Sequence, residues 1–207
     1  MMGFEFAIVL LAWAIGGGSP GPATLAIAGT SMNRGRRAGV AVAAGIVVGS
    51  ATWGLAAALG LSALMAANAW IVEVLRYVGA TYLLFLAFKS ARSAFSDKPL
   101  MPVAAGQGRL GRLFTKGLLI HLTNPKAILG WGAVFAIAVP VGATQIVVFE
   151  TYGALLCVSC CVFFGYALLF STPVFVRGYQ RLRHWFEGAF AVLFGLAGLK
   201  ILTARLT

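Results

Sequence analysis

A lysine stands in the middle of a long apolar run. Lys126 follows Thr123, Asn124 and Pro125 in a stretch from about Leu113 to Val139, where the only other lysine or arginine is Lys116 near the start. Ten residues separate the two lysines. At about 1.5 Å per helical residue that is about 15 Å, half of a hydrocarbon core about 30 Å thick. An ammonium at that depth costs at least about 2.5 kcal/mol and needs a partner. Three partners suit it: the carboxylate of a bound substrate, the side chain of Glu150, or open carbonyls at a helix break. His121, five residues earlier, titrates near neutral pH and is a candidate proton relay, although a lone histidine equally suits a hydrogen-bonded core position. Glu150, early in the run from Thr144, is a candidate coupling group or a plain interfacial carboxylate.

A second chemical feature sits in the first apolar run, Gly16-Gly17-Gly18-Ser19-Pro20-Gly21-Pro22. Proline and glycine at this density break a helix. Ser19-Pro20 here and Asn124-Pro125 later each place a good N-cap before a proline, which is favoured at the first helical position, so each pair can begin a new half-helix. Such half-helices present unpaired N–H groups and the positive end of a dipole, a setting that suits an anionic group. The candidate substrate-binding set is therefore Ser19, Pro20, Gly21, Pro22 and Thr24 from one break and Asn124, Pro125 and Lys126 from the other.

The surrounding elements must hold these groups inside a membrane. Of 207 residues 60% are hydrophobic and 10% charged, and mean hydropathy is +0.93, against about 25% charged in soluble domains. At about 20 residues per crossing, the length accommodates six spans and no appended catalytic domain. We place them at about Phe4–Met32, Ala38–Val72 with a tight turn near Ala67-Asn68, Ala69–Phe88, Leu113–Val139, Thr144–Ser171 and Trp185–Thr203. Basic residues alternate along this division. The first connection holds Arg34, Arg36 and Arg37, the third Lys89, Arg92, Lys98, Arg109, Arg112 and Lys116, and the fifth Arg177, Arg181 and Arg183. The second and fourth hold none. By the positive-inside rule both termini lie outside. The net charge of +11 thus reports topology, not nucleic-acid binding.

The expected fold is an all-α polytopic membrane protein of six transmembrane helices. Because the breaks fall in spans one and four, it reads as two inverted three-helix repeats, 1–93 and 113–207, joined by a cytoplasmic basic loop at 94–112. Ala41, Gly45 and Gly49 make a small-residue packing face, and such faces permit a homodimer without requiring one. Glu73 and Arg76 are spaced to pair on one helix face. Cys157, Cys160 and Cys161 read as small packing residues, and Trp53, Trp70 and Trp185 as interface anchors. No phosphate loop, metal-ligand spacing or nucleophile–base pair is present, so neither an enzyme nor a cofactor is expected.

These residues also resemble a known family. Ser19-Pro20-Gly21-Pro22-Ala23-Thr24, then Asn33-Arg34-Gly35-Arg36-Arg37-Ala38-Gly39 and the helix bearing Gly45 and Gly49, are similar to the amino-terminal signature of the LysE/RhtB amino-acid exporters. Gly79-Ala80-Thr81-Tyr82-Leu83 and Asn124-Pro125-Lys126-Ala127 look like that family's later motifs. The resemblance implies a carrier in the cytoplasmic membrane that exports amino acids or close derivatives, using the proton gradient or membrane potential. Its partners would be a small-molecule substrate and the lipid bilayer. Two departures stand out. Ala23 replaces a usual asparagine, and Ser50 occupies a position on span two where an acidic residue is common, which makes Ser50 a further candidate coupling position. A non-amino-acid metabolite as substrate, or a membrane scaffold whose breaks serve packing alone, are the alternatives.

Overall fold

The structure, a computed structural model, describes residues 4–67, 69–95, 108–140 and 142–203. They form eight helices: α1 Phe4–Gly18, α2 Pro22–Arg34, α3 Arg36–Ala67, α4 Ala69–Ala94, α5 Leu110–Leu122, α6 Pro125–Ala138, α7 Gln145–Leu169 and α8 Pro173–Thr203. No strand occurs among the described residues. By length and composition, Arg36–Gly60 of α3 and Gln145–Leu169 of α7 can each cross a membrane. The pair α1 and α2, bent by 59°, makes a third crossing if taken as one span.

Both expected breaks are present. At the second, the Asn124 Oδ1 accepts from the Lys126 backbone N–H at 3.1 Å and Pro125 opens α6, as the cap-then-proline pattern requires. Replacing Asn124 with alanine should lower thermal stability by about 1 kcal/mol, and serine should restore most of it. Thermal unfolding in detergent measures both, and an unchanged melting temperature for Asn124→Ala would count against the cap.

The first break differs from expectation. Pro22, not Pro20, is the first residue of α2, and the N-cap is Gly21, whose N–H donates to Thr24 Oγ1 at 2.9 Å. Ser19 belongs to the end of α1: its N–H donates to the Ile15 carbonyl at 2.9 Å and its hydroxyl to the Gly16 carbonyl at 3.0 Å. A serine hydroxyl can satisfy carbonyls behind it as readily as amides ahead of it, and here Thr24 takes the forward role.

The last helix is also longer than expected. α8 begins at Pro173, so Arg177, Arg181 and Arg183 lie in its first half and not in a loop. After Pro173 no further proline interrupts the chain, and a proline at the first helical position starts the helix there. The turn near Ala67-Asn68 agrees with the junction of α3 and α4, although Asn68 lies outside the described residues, as do the side chains of Glu73, Arg76 and Trp70. The cysteines are free thiols, and Cys157 and Cys161 are exposed on α7, not packed inside. Trp185 is exposed, whereas Trp53 packs against the core and its indole nitrogen is buried.

Two apolar cores flank the breaks. One joins Ile27 of α2, Val42 and Ile46 of α3, Leu113 of α5, and Phe163 and Ala167 of α7. The other joins Ala58 of α3, Trp131 and Phe135 of α6, and Val148 and Leu155 of α7, with Trp13 of α1 against it. Helices α3 and α5 approach to backbone contact. A Cβ at Gly45 would lie 2.0 Å from the Phe114 carbonyl oxygen, and one at Gly117 would lie 2.2 Å from that of Val42. The small-residue face expected on α3 is thus the seat of α5, with Gly49 against His121. Between α2 and α3, Gly35 turns the chain with φ of +79°, a conformation that favours glycine.

Candidate functional site

The two breaks meet. The Lys126 ammonium, at the start of α6, donates to the Ser19 carbonyl at 2.9 Å and also to the Ser19 hydroxyl. Gly21 lies beside it, since a Cβ there would stand 3.6 Å from Lys126 Nζ. Of the partners that chemistry allows, the structure therefore selects the open carbonyl at the end of α1. An ammonium has three donors. Two go to Ser19, which leaves one for a bound acceptor, and Lys126 is only partly buried.

The walls of this junction are polar and largely sealed. Ser19, Thr24 and Asn124 are each at most 5% exposed. The Thr24 hydroxyl donates toward the carbonyls of Ser19 and Gly21 at 3.3 and 3.2 Å. The Gly18 carbonyl, another open end of α1, accepts from the Tyr166 hydroxyl of α7. Two long side chains from the second half of the chain thus satisfy carbonyls that a broken helix leaves unpaired. The positive ends of α2 and α6 and the Lys126 charge gather at one place.

The other candidates are distributed around it. His121 is 4% exposed on α5, its carbonyl accepts from the Asn124 N–H at 3.1 Å, and its ring stands edge-on to Phe163 with centroids 5.5 Å apart. Its Nδ1 is buried without a hydrogen-bond partner. Ser50 is buried on α3 and accepts the Trp131 indole N–H at 3.1 Å. Glu150 is exposed on α7 and is not among the partners of Lys126. Pro22 and Pro125 are exposed and Pro20 half-buried at the edges of the two breaks.

Sequence reasoning missed two residues here. Tyr166 carries no local signal, because one tyrosine in an apolar helix looks like packing. Glu187 on α8 is 2% exposed. It shares helical spacing with Phe194 and Gly198, both buried, so it lies on the inward stripe of α8, a face that spacing alone does not mark.

A membrane protein, helical throughout its described residues, whose partly buried cation ties together two helix breaks has the build of a carrier. The chain belongs to the LysE type translocator family, whose pattern matches residues 14–205. It is a multi-pass membrane transporter and not an enzyme. It is 32% identical over 190 residues to the threonine efflux protein of Escherichia coli (strain K12), covering 90% of this chain and 92% of the relative. It is 31% identical over 197 residues to the homoserine/homoserine lactone efflux protein of Salmonella typhimurium, covering 90% of each. No solved structure matches.

Proposed function

We propose that the protein exports amino acids or close derivatives across the cytoplasmic membrane, driven by the proton gradient or membrane potential, with Lys126 receiving the substrate carboxylate. The observation that carries this reading is the junction itself, where Lys126 of one break reaches Ser19 of the other and keeps a donor to spare. The names of the threonine and homoserine efflux relatives support the substrate class. They also favour transport over a scaffold whose breaks serve packing alone.

Two inverted halves, 1–93 and 113–207, with both termini outside, account for the packing. Exchanging α1 with α5, α2 with α6 and α3 with α7 turns one apolar core into the other: α2 and α5 meet the start of α3 and the end of α7 in the first, while α1 and α6 meet the end of α3 and the start of α7 in the second. The Lys126–Ser19 contact lies where the two break regions meet. Rocking one half against the other about this junction would expose it to either side in turn. A second reading, export of a less polar metabolite, draws on Ser50, whose hydroxyl is taken by Trp131 and leaves that wall of α3 uncharged.

Cells with and without the protein, loaded with mixed dipeptides to raise amino-acid pools, test the function. Threonine or homoserine should appear outside faster only in cells that make it, and a protonophore should slow that release. Absence of any amino-acid release from cells with confirmed membrane insertion would overturn the reading.

A further inference from the structure

Helix α8 is longer than a membrane crossing requires. At about 1.5 Å per residue, the 31 residues of Pro173–Thr203 extend about 46 Å, against a hydrocarbon core about 30 Å thick. About ten residues therefore stand outside the core. The sequence says which: Gly188 to Leu199 carries no charge, whereas Arg177, Arg181, Arg183 and His184 all precede it. The first half of α8 is the protruding one.

Two sets of contacts hold that half in place. Phe175 and Tyr179 stand edge-on to Phe170 at the end of α7, with centroids 5.1 and 5.0 Å apart. His184 Nδ1 donates to the Ala94 carbonyl at the end of α4 at 2.6 Å, and because a carbonyl only accepts, this nitrogen carries the proton. The opposite stripe is left bare. Val174, Arg177, Arg181 and Trp185 follow at three, four and four residues, the spacing of one helix face, and all four are exposed, Val174 by 74% and Trp185 by 80%. A Cβ at Gly178, within the same stripe, would meet nothing within 4 Å. Next to the His184–Ala94 contact, the end of α4 adds exposed Arg92, and Phe95, which is 90% exposed. No acidic residue occurs between Glu150 and Glu187 to answer these arginines locally.

We propose that the bare stripe of α8 and the end of α4 dock the headgroups of anionic phospholipids, with Arg92, Arg177 and Arg181 holding phosphate and with Trp185 and Phe95 at the border of the acyl chains. Depth and chemistry select a lipid over a soluble partner. Trp185 stands three residues before the uncharged stretch that opens at Gly188, so its ring falls at headgroup level, where tryptophan is favoured. Arg181 lies one turn farther out, and a guanidinium grips phosphate through paired N–H donors. Because aromatic contacts and His184 already fix the helix, its outward face is ordered before any lipid arrives. The inference does not depend on what the protein transports.

The test offers the full chain, in detergent, an equimolar mixture of phosphatidylglycerol and phosphatidylcholine with the same acyl chains, and native mass spectrometry counts the lipids retained. The wild type should prefer phosphatidylglycerol by about tenfold or more, since each basic side chain at an anionic surface contributes about fivefold. Arg177→Gln/Arg181→Gln should lose most of that preference, and Arg177→Lys/Arg181→Lys, which keeps the charge without the paired donors, should keep much of it. Should the glutamine pair not insert, each single glutamine variant should lower the preference about fivefold. Arg36→Gln/Arg37→Gln is the control, because these exposed arginines at the start of α3 carry the same charge elsewhere on the chain. A loss in the control as large as in the α8 pair would assign the attraction to net charge and overturn the proposal. So would a wild type that retains both lipids equally, or a dimer that the α8 pair dissolves without change in lipid retention, which would give this face to a second copy of the chain.

Discussion

Lys126→Ala is expected to insert in the membrane and fail to export. The ammonium holds two acceptors on Ser19 and is the group proposed to meet the substrate carboxylate. Truncating one member of a buried, hydrogen-bonded charge pair costs about 2–5 kcal/mol, so flux should fall by about two orders of magnitude or more. Ser19→Ala removes the hydroxyl's hydrogen bonds with Lys126 and with the Gly16 carbonyl but leaves the Ser19 carbonyl; only the first, worth about 1 kcal/mol, bears on the ammonium, so flux should fall only about fivefold. The comparison separates the two roles of the lysine. If it merely closes the end of α1, Lys126→Ala should lower thermal stability and leave transport per inserted molecule close to that of Ser19→Ala. Efflux normalised to membrane-inserted protein decides the matter, and normal flux from Lys126→Ala would end its assignment to the substrate.

The second large effect concerns assembly. Gly45→Leu should prevent α5 from seating on α3. Even a single Cβ at Gly45 would come within 2.0 Å of the Phe114 carbonyl oxygen and 2.8 Å of the Leu118 nitrogen. These are backbone atoms, which cannot swing aside as a side chain can, so the whole of α5 must withdraw. Overpacking in ordinary cores costs about 1–3 kcal/mol, and displacement of a helix that carries the Asn124 break exceeds that range. Gly45→Leu should run as aggregate in detergent size-exclusion chromatography, and Gly45→Ala should melt well below the wild type. Gly153→Ala is the control: nothing lies within 4 Å of the added carbon, and alanine is favoured over glycine in a helix by about 1 kcal/mol. A monodisperse Gly45→Leu protein with wild-type melting would show that the close approach of α3 and α5 is dispensable.

Much of the site was legible in the chain because its signals are local. Prolines remove donors wherever they stand, so both breaks could be placed without a structure, and at Asn124-Pro125 the cap also agreed. At Ser19 the local rule had two solutions. The hydroxyl could cap the helix ahead or answer the carbonyl behind, and the presence of Thr24 settled it. The glycines of α3 announced a close neighbour without naming it. Glu187 stands out in the sequence by its charge alone, since spacing does not say which face of α8 turns inward. The early start of α8 was missed because arginines three to four residues apart look alike in a basic loop and along a helix.

Hydropathy, the positions of proline and glycine, and a cation deep in an apolar run establish a membrane carrier with two broken helices, because each acts through the energetics of a short segment in hydrocarbon. The partner of Lys126 was a different kind of question. A substrate, Glu150 and an open carbonyl all satisfy an ammonium chemically, and Ser19 is 107 residues away from it in the chain. Only the packing of the helices on one another made that contact, left Glu150 exposed, closed Ser50 with Trp131 and buried Glu187. Those outcomes depend on distances between distant segments, and no local rule of sequence encodes such distances.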